Sequence, residues 1–90
     1  MAIARRAVVH GDVQGVGFRW WTAREAQQLG VRGWVTNRWD GTVEVHAEGP
    51  EGAVEAMVTA LRHGPRHAHV TRVEVTPADL HGWVGFEVEP

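Results

Sequence analysis

The sequence predicts an α+β sandwich, with two helices on one face of an antiparallel sheet. Three observations carry this reading. Apolar and polar residues alternate over 42–48, the mark of a half-buried strand. Two stretches with helical spacing are each flanked by β-rich runs. Breakers fall between the runs: Gly30, Asp40-Gly41, Gly49-Pro50 and Gly64-Pro65.

Residues 3–10, IARRAVVH, read as the first strand, rich in small and β-branched residues. A glycine loop follows over 11–17. From Phe18 to Leu29 the period turns helical, with Phe18, Trp21, Ala26 and Leu29 on one broad face and Gly30 as the stop. Val31 to Thr36 reads as the second strand, and 37–41 as a hairpin turn signalled by Asp-Gly. In the strand 42–48, Val43, Val45 and Ala47 point one way, and Thr42, Glu44, His46 and Glu48 the other. Pro50 suits the first turn of a second helix, marked by Val54, Met57, Val58 and Leu61 and closed by His63-Gly64-Pro65. Val70 to Thr76 is a strand, Pro77 to Gly82 a loop, and Trp83 to Val88 a last strand with Val84, Phe86 and Val88 on one face. The order is βαββαβ with a candidate extra strand at the C-terminal end. Two βα crossovers around a central hairpin give the ferredoxin-like split βαβ arrangement. A crossover returns the second strand parallel to the first. The loop 11–17 and the end of the second strand near Asn37 therefore fall at one edge of the sheet.

Composition narrows the function. The 90 residues are expected to form a single domain over 1–90. There is no cysteine, which excludes disulfides, thiolate zinc sites and cysteine nucleophiles and fits a reducing cytoplasm. All nine basic residues are arginine, so Schiff-base chemistry and a P-loop lysine are excluded. The net charge of −2 argues against a nucleic-acid partner. Arg5-Arg6 is followed by no apolar signal region, and no apolar run is long enough for a bilayer. The expectation is a cytoplasmic monomer with no membrane and no nucleic-acid partner.

The stretch GDVQGVGFR, residues 11–19, carries the chemistry. Its glycines allow a turn that aims backbone N–H groups inward, and it opens onto a helix N-terminus, where free amides and the helix dipole attract anions. Val13 and Val16 would anchor the loop to the core. Arg19 adds a planar fork that can hold two oxygens of a phosphate. One reading is a phosphate cradle; the other is a tight connection whose glycines serve only the turn and whose arginine is solvated. The loop is neither a P-loop nor a dinucleotide fingerprint, since Trp20 stands where the latter needs glycine. Asn37, before the hairpin, has an alternative role in bonding its own backbone.

GDVQGVGFR resembles the first signature of the acylphosphatase family, and GWVTNRWDGTVEVHAEG, residues 33–49, resembles the second. They stand in the family's order and separation, and the likeness covers nearly the whole chain. The resemblance implies the ferredoxin-like fold, in agreement with the element order. It implies hydrolysis of the carboxyl–phosphate bond of small acyl phosphates, to carboxylate and inorganic phosphate, with no metal and no cofactor. By position it makes Arg19 the phosphate-binding arginine and Asn37 the residue that places the attacking water. The backbone of Gln14, Gly15, Val16, Gly17 and Phe18 becomes the cradle, and inorganic phosphate or sulfate a product-like ligand. Thr36 departs from the pattern, standing where many members carry Lys or Arg, and a missing charge there could weaken substrate attraction.

Other residues invite lesser roles. His67 and His69 could share a strand face near His63, but no carboxylate has matching spacing for a metal site. His10 borders the loop, with a structural role as the simpler reading. Trp20 and Trp21 cannot face the same way on a helix, so one belongs to the core and the other lines the site or a surface. Trp39 at the hairpin tip could touch substrate, with a solvent shield as the simpler reading, and Glu25 and Glu55 read as solvated helix faces. Two rivals from other classes are a non-catalytic anion-binding module, and a ferredoxin-like nucleic-acid binder using exposed Trp and Arg. The acidic charge and the missing aromatic motif count against the second.

Overall fold

A computed structural model describes all of residues 1–90. Its elements are β1 (Ala2–Asp12), α1 (Phe18–Leu29), β2 (Arg32–Asn37), β3 (Val43–Pro50), α2 (Glu51–His63), β4 (His69–Pro77) and β5 (Phe86–Glu89). The sheet order is β4-β1-β3-β2-β5. The first four strands are antiparallel neighbours, as the sequence leads one to expect. β5 is the extra strand, and it pairs parallel to β2, so the complete sheet is mixed.

β3 fixes the layers. Val43, Val45 and Ala47 are buried together with Ala7 and Val9 of β1, Val35 of β2 and Val73 of β4. Phe18 and Ala26 of α1 and Val54, Met57 and Leu61 of α2 close this core from one face of the sheet. Each fully buried Val, Leu, Met or Phe contributes about 1.5–3 kcal/mol relative to exposure. Of the helical face read from the sequence, Phe18 and Ala26 are buried, while Trp21 and Leu29 are partly buried against the core.

The other face of β3 is not the solvated face that its polar residues suggest. His46 and Glu48 are buried there, Glu48 at 0 % exposure. They are covered by residues 78–85, which run without regular structure from the end of β4 to the start of β5. β4 and β5 lie at opposite edges of the sheet, so this strap must cross β1, β3 and β2. It is tied to each in turn. The Ala78 N–H donates to the Ala4 carbonyl, Glu48 accepts from the His81 and Trp83 N–H groups, and the Gly85 carbonyl accepts from Gly33 N–H. The crossing explains why β5 begins at Phe86 and not at Trp83. It also explains why Val84, expected on a strand face, is 90 % exposed.

Candidate active site

β1 and β2 both run antiparallel to β3, so the loop after β1 and the end of β2 meet at one end of the sheet. A cleft of about 200 Å³ opens there, lined by Val13, Gly15, Gly17, Phe18, Arg19, Trp20, Asn37 and Val88. Arg19 is the only charged residue in this lining.

The loop is built from the core outward. Val13 is buried and Val16 packs partly against the core. Between and after them the chain turns through Gly15 (φ 76°) and Gly17 (φ 77°), left-handed conformations that residues with a Cβ rarely adopt. Gly17 is the N-cap of α1, with no capping side chain and no acidic residue in the first turn. The amides of residues 14–17 donate to no protein acceptor, and the first bond into the helix is from Trp21 N–H to the Gly17 carbonyl. The positive end of the α1 dipole and a run of free donors therefore face the cleft end of the sheet.

Side chains brace the loop from two directions. Gln14 donates from Nε2 to the Arg38 carbonyl (2.7 Å) and the Thr42 carbonyl (2.9 Å), fastening the loop to the β2–β3 hairpin. Arg19 donates from Nη1 to the Glu89 carbonyl of β5 at 2.7 Å. That contact leaves Nε and Nη2 of the guanidinium for a ligand. Asn37 ends β2 on the cleft, and its side-chain oxygen is buried with no hydrogen-bond partner. The hairpin is held by Asp40, whose Oδ1 accepts from the Thr42 hydroxyl (2.6 Å) and N–H (3.0 Å). These bonds keep the Asp40 carboxyl below its ordinary range.

Of the residues singled out in the sequence, Arg19, Asn37, Gly15, Gly17 and Phe18 come together at the cleft. Gln14 and Val16 do not line it; one acts as a tie and the other as an anchor. Thr36 also lies outside the lining, and its hydroxyl donates to the Pro90 carbonyl at 2.7 Å. Trp20 is the outward member of the tryptophan pair, 63 % exposed at the cleft with the Arg24 guanidinium 4.7 Å from its ring centroid. Trp39 is 95 % exposed, so it shields nothing. His10 pairs with Glu74 on β4 and stays out of the cleft. His63, His67 and His69 are exposed, and His67 precedes β4, so it shares no strand face with His69. Glu89 and Val88 escaped the sequence reading as contributors. Only the sheet order brings them into play.

A ferredoxin-like α+β sandwich with a cleft at one end of its sheet, lined by a glycine loop and one arginine, is the class that this fold and site define. Comparisons with known proteins narrow it. The acylphosphatase family model matches residues 5–88. An acylphosphatase of Nitrobacter hamburgensis is 55% identical over 75 residues, covering 83% of this chain and 76% of that protein. One of Thermococcus kodakarensis is 52% identical over 80 residues, covering 89% and 88%. The crystal structure of acylphosphatase from Bacillus subtilis superposes with a TM-score of 0.94 at 42% identity, covering 100% of both chains. The chain belongs to the acylphosphatase family, enzymes that hydrolyse acyl phosphates. No helix is long and apolar enough to cross a membrane.

Proposed function

We propose that the cleft hydrolyses small acyl phosphates with Arg19 as the phosphate-binding group, the amides of residues 14–18 as the cradle, and Asn37 as the group that places the attacking water. The single observation that carries this reading is the pairing of opposites in one small cleft. Free N–H donors and a guanidinium meet an unpartnered buried acceptor, Asn37 Oδ1. The donors match phosphoryl oxygens. The acceptor matches a water proton.

The chemistry needs little more. Phosphoryl transfer passes through a loose transition state, so positioning and charge stabilisation supply most of the catalysis. The leaving carboxylate needs no proton, which fits a cleft with no acidic side chain in its lining. Asn37 orients the water, the water oxygen bonds to phosphorus as the phosphorus–oxygen bond to the acyl group breaks, and the water proton passes to a phosphate oxygen. Holding water and phosphorus in line can contribute roughly 7–11 kcal/mol at best. Charge on the equatorial oxygens is met by Arg19 and the amides, so no step calls for a metal ion or cofactor.

The test is turnover of benzoyl phosphate by purified protein in excess EDTA, with inorganic phosphate titrated as inhibitor. Turnover that survives EDTA and is inhibited competitively by phosphate supports the reading. Phosphate binding without turnover would make the cleft a cradle in a non-catalytic module.

A further inference from the structure

We propose that Glu48, at the end of the sheet away from the cleft, is a positioning residue for Arg19, acting through the strap 78–85 and β5. The proposal rests on the reading of Arg19 as the phosphate-binding arginine.

The argument begins with reach. From β4 to β5 the strap covers four inter-strand steps, about 19 Å in all. Its eight residues can extend to at most about 28 Å. The crossing takes about two-thirds of that reach, with bends at Gly82 and Gly85, and the strap forms no ladder of its own, so its backbone groups need partners from the sheet beneath. Glu48 supplies them at the centre of the crossing. One carboxylate oxygen accepts from Trp83 N–H at 2.8 Å, the other from His81 N–H at 3.0 Å and from His46 Nε2 at 2.9 Å. His46 is itself stacked on Trp34, centroids 5.9 Å apart. A carboxylate at 0 % exposure is tolerable only while these bonds are made, so the strap is held to one position over β3.

That position sets the register of β5. Two residues past Trp83, the Gly85 carbonyl takes the Gly33 N–H at 3.0 Å. Pairing then runs from Gly33↔Phe86 to Thr36↔Glu89. A one-residue slip would turn every β5 side chain to the opposite face. It would also move the Glu89 carbonyl, which holds Arg19 Nη1 at 2.7 Å. Glu48 touches neither the arginine nor the cleft, yet it determines where the arginine's brace arrives.

The experiment is a double-mutant cycle on phosphate affinity. Inorganic phosphate is titrated against amide chemical shifts in wild type, Glu48→Gln, Arg19→Ala and the double variant, at a temperature where all four keep native near-UV circular dichroism. Glu48→Gln keeps the side-chain shape and loses the second carboxylate acceptor. It should weaken phosphate binding about tenfold beside the native arginine, within the coupling expected of residues in one connected network. It should add nothing in the Arg19→Ala background. An equal loss in both backgrounds, or none beside the native arginine, overturns the proposal. If Arg19→Ala alone leaves phosphate affinity unchanged, the reading of the arginine fails and the proposal falls with it, an outcome visible in that single variant. Should Glu48→Gln not fold, His46→Phe replaces it in the same cycle. It keeps an aromatic ring against Trp34, removes one donor from Glu48, and should give a smaller loss of the same kind; no loss there overturns the proposal.

Discussion

The loop over 13–17, which joins β1 to α1, and the strap over 78–85, which joins β4 to β5, are both irregular, yet they treat their backbone donors in opposite ways. The loop leaves the amides of residues 14–17 without protein acceptors at the mouth of a cleft. The strap hands two of its amides to a carboxylate buried under it. Where the N–H groups of an irregular segment go therefore separates a segment left free to meet a ligand from one that holds a scaffold. The acidic partners follow the same division. The first turn of α1 has no carboxylate to neutralise its free amides, whereas the strap lies on one.

Four measurements would break or sharpen that contrast. The largest effect belongs to Arg19→Ala. It should lower turnover of benzoyl phosphate by about 10³-fold or more, by analogy with arginines that stabilise transferring phosphoryl groups, and weaken phosphate binding as well. Asn37→Ala comes next. Loss of a group aligned for the transition state should cost about 10²–10³ in kcat while phosphate affinity stays nearly constant. A loss confined to affinity would end its role as the water-placing residue.

On the strap side, the test is acid. Burial alone would raise the Glu48 pKa, but the bonds from His46 and from the amides of His81, Trp83 and Gly82 outweigh it and hold it at about 2, against an ordinary 4.5. A carboxyl depressed in the folded state adds stability that is complete above 4.5 and is lost as pH falls toward 2. The stability gap between wild type and Glu48→Gln, measured by urea unfolding, should include about 3 kcal/mol from this shift at neutral pH and shrink through that window. A gap that stays constant down to pH 2 would deny the carboxylate its ionised role.

The smallest of these effects lies in the loop. At Gly17 an added Cβ would meet no atom within 4 Å, so Gly17→Ala strains only the backbone at φ 77°. The cost should be about 1–2 kcal/mol by thermal unfolding, with weaker phosphate binding as the amides shift.

The loop was legible in the sequence because its determinants are local. Gly15, Gly17 and Arg19 lie within five residues, and the turn at Asp40-Gly41 announces where Asn37 must be. The same locality made the two crossovers and the antiparallel core readable. The strap was not readable, for three physical reasons. Glu48 alternates correctly with Ala47 and so reads as solvent-facing; nothing near it in sequence says that residues 81 and 83 will cover it. Trp83 and Val84 carry the β-propensity of Phe86 and Val88, but the width of the sheet makes them part of a crossing. Trp39 reads as a shield because tryptophans are usually covered, yet the hairpin tip has no neighbouring element to cover it. A possible signal was the pair Gly82 and Gly85, both at positive φ, which bend the chain on either side of Trp83.

The brace on Arg19 comes from a residue seventy positions further along the chain. Gln14, by contrast, fastens to the hairpin across twenty-eight. Contacts of such different separation close at different entropic cost, and the long one rewards the chain only after β5 has found its place beside β2. During refolding, helical circular dichroism and burial of Phe18 should therefore return before phosphate affinity does. Arg19 is present from the start, but it is aimed only when the final strand docks.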